Sequence, residues 1–288
     1  MTNTACLLAV CALASMTSCA TEDASPPVAQ MGADDSRQTA PVEVHRIDLS
    51  ERTDLHLADD LKKVRQRTTP IMVDLTWSKV DGDLLEHLHG LENLRGLYLF
   101  GTDVSDDELQ HLSELPDLQS IDLGGCNVSI EGILRLRSSR KLKRLGLADV
   151  RPPLDDKAIK RIVSAWPNLE SISLDSSDIT DDGLFHVGKL RRLRYLNVSR
   201  TQITDKGLVP LAGLCQITTL HANNTQISDE GMVHLGTMTS LEKLDLNFTG
   251  ISNRGLKEVR GLTNLKGIYF VGTKVTDDGL EYLKPLKT

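Results

Sequence analysis

Aromatic residues are scarce in this chain: two Trp, four Tyr and four Phe stand among 288 residues, so wherever they gather a cause is needed. Cysteine is scarcer still, because three of the five lie at or before Cys19, leaving Cys126 and Cys215 far apart in the chain. They are not placed to form a disulfide, and stability has to come from packing. Formal charge is −7 with no basic stripe, which argues against nucleic acid as a partner. The apolar run from Ala5 to Met16 is twelve residues long, too short to span a bilayer. No Walker loop, GxSxG, HExxH or CxxC pattern occurs, so no standard catalytic motif is legible.

What the chain has in abundance is repetition. The phrase LxxLxLxxTxITDxGLxxLxxL recurs in units that begin at Pro70, Leu94, Leu118, Leu142, Leu169, Leu193, Ile217, Leu241 and Leu265. A weaker unit begins at Val44, which makes about ten. The period is 24 residues except for the 27-residue unit from Leu142 to Asn168. A fixed short period means a stack of identical supersecondary units.

The unit from Leu193 to Gln216 shows how each folds. Leu196 and Val198 alternate with Tyr195 and Asn197, which is strand spacing. Leu208, Leu211 and Leu214 recur every third residue, the inward stripe of a short helix or 3₁₀ segment. Between them, Ser/Thr-Asp pairs at 105–106, 180–181, 204–205, 228–229 and 276–277 read as helix N-caps followed by an acid that suits the positive helix end. Glycines 183, 207, 231, 255 and 279 fall in the first helical turn, where a side chain would crowd the neighbouring coil. The expected architecture is an α/β solenoid with a parallel sheet on the concave face and short helices on the convex face, because helices stack less closely than strands at about 4.8 Å.

The phrase resembles the leucine-rich repeat family, in the short TxITDxGLxxL variety of bacterial repeat proteins, over residues 44–288. It is also similar to the cysteine-containing repeats of eukaryotic F-box substrate receptors, but Thr102, Thr201, Thr225, Thr249 and Thr273 stand where those carry Cys, and only Cys126 matches. The resemblance implies a horseshoe that binds a macromolecule, without catalysis. An F-box-like adaptor for ubiquitin ligation is the alternative it leaves.

Residues 1–18 read as a secretory signal. Met16-Thr-Ser-Cys19 resembles the lipobox of bacterial lipoproteins, which implies Cys19 as the acylated mature N-terminus. Cleavage by ordinary signal peptidase after Ala20 is the alternative and would give a secreted protein. Residues 19–43 are poor in large apolar side chains and read as a disordered tether between membrane and solenoid. The expected location is the cell envelope.

Two columns of titratable residues invite a chemical reading. His87, His111, His186 and His234 share one helical position, but only the first two lie in adjacent units, so a solvated helix face is expected rather than a metal site. Asp48, Asp74, Asp122 and Asp245 share a strand position, interrupted by Tyr98, Gly146, Ser173, Asn197 and His221. An enzyme using these carboxylates is a further alternative; solubility of an exposed sheet is the preferred reading, with no cofactor implied.

The remaining signal is a surface. Trp77, Tyr98, Phe100, Tyr195, Phe248 and Tyr269, six of the ten aromatics, occupy outward strand positions. Cross-strand packing and ligand binding both suit them. Trp77, Tyr98 and Phe100 form a candidate first anchor. Tyr195, Arg200, His221, Asn223, Lys243, Asn247 and Phe248 form a more polar second patch, with Tyr269 beyond it. A protein ligand is expected, and a glycan would also suit aromatic faces beside amides. The three extra residues around Arg151-Pro152-Pro153 predict a bulge on the turn edge. The uncharged strand from Gly267 to Val271 is a candidate edge for self-association.

Overall fold

In the computed structural model, residues 44–53, 56–80 and 84–286 are described; the leader, Cys19 and the tether lie outside them. The strands are β1 (His45–Asp48), β2 (Ile71–Asp74), β3 (Leu94–Tyr98), β4 (Ser120–Asp122), β5 (Arg144–Gly146), β6 (Ser171–Ser173), β7 (Tyr195–Asn197), β8 (Thr219–His221), β9 (Lys243–Asp245) and β10 (Gly267–Tyr269). They form one parallel sheet in sequence order. Each unit closes with a short helical segment: α1 (Leu57–Val64), α2 (Ile130–Ile133), α3 (Asp156–Ala165), α4 (Asp181–Val187), α5 (Asp229–Leu235) and α6 (Asn253–Leu256), with 3₁₀ segments such as Leu85–Leu88, Glu108–Leu112, Asp205–Leu211 and Asp277–Leu283 in the other units.

The inward strand residues Val73, Leu97, Ile121, Leu145, Ile172, Leu196, Leu220 and Leu244 are fully buried and pack with the helical stripe into one continuous core. Burial of this apolar column at roughly 25 cal/mol per Å² is the main driving force for stacking. After each inward strand residue the chain turns through a left-handed residue, occupied in turn by Glu51, Trp77, Gly101, Gly125, Asp149, Ser176, Arg200, Asn224, Phe248 and Gly272. The repeat Thr then ties the turn: the hydroxyls of Thr102, Thr201, Thr225, Thr249 and Thr273 donate to the carbonyl three residues back at 2.6–2.7 Å. Cys126 takes the equivalent place, its thiol donating to Leu99 O at 3.1 Å; burial pushes its pKa up to about 12. Cys126 and Cys215 are both free thiols, one buried and one exposed.

The Ser/Thr-Asp pairs do more than cap their own helices. Thr180, Thr204, Ser228 and Ser252 each accept from the backbone N–H two residues on, as caps should, at 3.2–3.3 Å. The Asp that follows reaches into the next unit. Asp181 accepts from Thr204 N and Oγ1 at 2.8 and 2.6 Å, Asp205 from Ser228 at 2.7 and 2.7 Å, and Asp229 from Ser252 at 2.7 and 2.6 Å. Asp106 and Asp156 bind Ser129 and Thr180 in the same way. Thr276 departs from the row: its hydroxyl accepts from the Asn253 amide at 2.7 Å and makes no cap bond.

This ladder explains the glycine row. A Cβ at Gly207 would lie 2.5 Å from Asp181 Oδ1, and one at Gly255 would lie 2.6 Å from Asp229 Oδ1.

The 27-residue unit distributes its extra length. From the left-handed Asp149 to the cap Asp155 there are six residues, against four from Arg200 to Thr204, which places two extra residues at the turn. From Asp155 to Ser171 there are sixteen, against fifteen from Thr204 to Thr219, which places the third at the far end of the helix. The expectation of three residues at Arg151-Pro152-Pro153 is corrected accordingly. The extra residue lets α3 run ten residues as a regular α-helix, with Ile159, Ile162 and Trp166 facing inward at spacings of three and four.

Candidate functional site

Strict register lines up the sheet's outward residues. One row runs Asp48, Asp74, Tyr98, Asp122, Gly146, Ser173, Asn197, His221, Asp245, Tyr269 across all ten strands. The carboxylates in it are occupied as acceptors. Asp74 is paired with Arg46, and Asp122 Oδ1 accepts from Gly124 N at 3.0 Å. Asp245 accepts from Asn247 N at 3.0 Å and Asn223 Nδ2 at 3.2 Å, with His221 Nδ1 at 3.5 Å. Burial pushes the Asp245 carboxyl up, and these donors more than offset it, leaving it below the usual carboxylate range.

The first aromatic group differs from its sequence reading. Tyr98 is 4% exposed and Phe100 is 7% exposed, so neither presents its ring to a ligand. The Phe100 ring lies over the next unit, where a Cβ at Gly124 would come within 2.5 Å of it, and the Tyr98 hydroxyl turns the other way, toward Met72 Sδ of the preceding unit at 3.7 Å. Aromatic rings here fill the space that neighbouring glycines leave open. Trp77 covers Gly101 in the same manner and meets Phe100 edge-on at 5.3 Å, yet remains 56% exposed.

The second group is brought together on β7–β10. Tyr195 is half-buried, its ring tilted against His221 at 5.5 Å. Burial, with Asp175 and Asp122 adding to it, pushes the Tyr195 hydroxyl pKa up, so it stays protonated. Arg200 is ion-paired with Asp175 and donates to Ser176 Oγ at 2.8 Å, which fixes its guanidinium along the turn. Asn223 donates to Ser199 Oγ at 2.8 Å as well as to Asp245. Asn247 accepts from Val271 N at 2.6 Å, tying the last turn to the one before. Lys243 is exposed, Phe248 is 55% exposed over Gly272, and Tyr269 is 44% exposed. Val271, 52% exposed, joins them; the sequence reading placed it only on the strand edge, although its position one turn beyond Asn247 marked it. The result is an apolar pair of faces, Phe248 and Tyr269, beside a fixed polar network and Lys243, which has no ion pair among the described residues, an arrangement suited to molecular recognition.

On the helical face, His87, His111, His186 and His234 keep to their separate segments. Burial, with Lys189 adding to it, lowers the His186 pKa. Among the described residues no group of three or more His, Cys, Asp or Glu gathers as metal ligands would.

A family model described as leucine-rich repeat matches residues 189–212 and 237–259. Among solved structures, an internalin from Listeria monocytogenes strain 4b F2365 aligns with a TM-score of 0.59 and 21% identity, over 82% of this chain and 69% of that one. An internalin C2 from the same strain aligns with a TM-score of 0.54 and 21% identity, over 81% of this chain and 90% of that one. A search of curated proteins finds no match. The fold is thus an α/β leucine-rich repeat solenoid.

Proposed function

We propose that this leucine-rich repeat solenoid is a non-catalytic binding scaffold that holds a protein ligand on the β7–β10 part of its sheet face. The observation that carries the reading is the convergence of Tyr195, His221, Lys243 and Tyr269 on adjacent strands with Asn223, Asn247 and Phe248 in the turns that follow β8 and β9, and Arg200 at their margin. Exposed aromatic faces supply most of the energy at interfaces, and a preordered polar network limits the entropy lost on binding. Trp77, packed edge-on against Phe100 after β2, is an exposed ring toward the other end of the sheet and a secondary contact. Tyr98 and Phe100 are left out because they are buried.

The reading includes export. The signal-like residues 1–18 and the lipobox-like Cys19 support a location at a cell envelope on a membrane anchor, with 19–43 as its tether. The chain from Gly267 to Val271, β10 and the two residues after it, is a second contact, for self-association: among the described residues β10 is paired on one side only, by β9.

The test compares the folded parent with a Phe248→Ser, Tyr269→Ser variant in crosslinking capture from envelope extract, with Trp77→Ser as the control. A protein captured by the parent and the control but lost in the double variant supports the site. Equal capture by all three would exclude it.

A further inference from the structure

The acidic balance of the chain conceals a concentration of positive charge. Residues 132–148 and 183–204 contain no Asp or Glu; six residues from Arg135 to Arg144 and four from Lys189 to Arg194 are Lys or Arg. These stretches include the loops that enter β5 and β7, so the loop cations share the edge of the sheet where its parallel strands begin. Nearby acids are already engaged: Asp117 by Lys141 and Arg95, Glu170 by Lys143 at 3.1 Å, Glu131 by Arg161 at 2.6 Å. Arg137, Arg140, Arg191 and Arg192 are exposed and have no ion pair among the described residues.

Between the loops entering β5 and β6 lies a groove of about 560 Å³ lined by Arg137, Arg140, Trp166 and Asn168, with no carboxylate in its wall. That size suits a small ligand. The groove coincides with two local departures from the repeat. The position filled by Leu115, Leu190 and Leu214 in other units is Ser139 in one unit and Trp166 in the next. The extra residue at the end of α3 falls in the same loop.

Two donors there are left over. Trp166 is 2% exposed and its indole N–H has no acceptor. Asn168 precedes its strand as Asn93 and Asn264 precede theirs. Asn93 donates to Arg67 O and Thr69 O at 2.8 Å each, and Asn264 donates to Thr239 O at 2.9 Å, whereas Asn168 makes no such bond.

We propose that this groove binds a phosphate group, gripped by Arg137 and Arg140, with Asn168 and the Trp166 N–H as neutral donors and Arg191 and Arg192 strengthening the local field. Guanidinium forks match the geometry of tetrahedral oxyanions, and a wall without carboxylates spares the ligand repulsion. The site lies on the strand-entry edge, apart from the sheet-face patch, and stands independently of the scaffold reading.

The test uses the full chain with Trp77→Phe, which leaves Trp166 as its only tryptophan. Inorganic phosphate, glycerol phosphate and vesicles containing phosphatidylglycerol are titrated separately against sodium chloride of matched ionic strength, with Trp166 fluorescence as the readout. Saturable change with the soluble phosphates identifies a free ligand, and saturation with vesicles alone identifies a lipid headgroup; either supports the site. Arg137→Gln with Arg140→Gln should weaken binding by about tenfold or more, the equivalent of one lost charge-assisted contact. Lys274→Gln, remote and exposed, should leave it unchanged. A response equal to that of chloride, or one unaltered in the double variant, would overturn the proposal.

Discussion

The Asp that follows most of the caps is the residue on which the stack turns. It accepts two bonds from the next unit and occupies the space above the next helix's first turn, so Gly is required there. The sequence carries a trace of this rule. Gly132, Gly183, Gly207, Gly231, Gly255 and Gly279 each follow a unit with Asp or Asn at the bridging place, whereas Ala158 follows Ile130 and Glu108 follows Gly82. Helix propensity alone favours Gly207→Ala by about 1 kcal/mol. The pinned Asp181 carboxylate reverses the sign: the variant should lose about 2 kcal/mol in urea denaturation, and Asp181→Ala should abolish most of that loss in a double-mutant cycle. A stabilised Gly207→Ala protein would contradict the bridge.

The same residues set the acid response. Burial pushes Asp229 up, but the Ser252 hydroxyl and amide and the Gly255 amide more than offset it, and its pKa falls below the usual carboxylate value. Glu108, held by the Ser105 hydroxyl and amide against its own burial, and Asp245 behave alike. A carboxyl whose folded pKa is depressed contributes stability above its unfolded pKa of about 4, and that contribution disappears as pH falls through the folded value. The urea midpoint should therefore be level above about pH 5 and decline below about pH 4. Asp229→Asn should shallow the decline, since Asn253 already performs the same bridging to Thr276. A midpoint that rises on acidification would refute this.

At the scale of elements, strand and helix positions were legible because apolar spacing switches from two to three within every unit. Which outward side chains stay exposed was not legible. Trp77 and Phe100 both read as outward strand residues, but Trp77 is the left-handed turn residue of its unit, in the place of Gly101, and Phe100 stands one place earlier; each ring lies over a glycine 24 residues on, Gly101 or Gly124, a relation that spacing within one unit does not show. Hence two of the three residues of the first group, Tyr98 and Phe100, are not surface at all. The Ser139 and Trp166 exchange was missed for the same reason, since each residue makes sense only beside its neighbour in the stack. Trp166→Leu should cost about 3 kcal/mol, more than a lone outer residue could, because it truncates a side chain that is 2% exposed at the wall of the groove. A loss under about 1 kcal/mol in thermal or chemical unfolding would mean that the loop collapses to fill the space.

The whole molecule is a one-dimensional stack in which each unit touches its neighbours, so the surfaces it offers are its ends and faces rather than a central cavity. Fold and unit boundaries follow from periodicity alone. The binding face rests on chemistry and the partner's identity on neither, because a sheet face advertises residue types without naming what they complement. Self-association through Gly267–Val271 predicts sedimentation that rises with concentration and is lost in a Val271→Lys variant, the exposed end of that edge; a constant monomer across a wide range would remove it.

The central claim is that ligands meet the sheet face at β7–β10. A photoreactive residue in place of exposed Lys243 tests it most directly, against the same residue in place of Lys206 on the helical side. After irradiation in envelope extract, a discrete crosslinked protein is predicted from position 243 and none from 206. A crosslink from 206 alone, or the same product from both, would contradict the account.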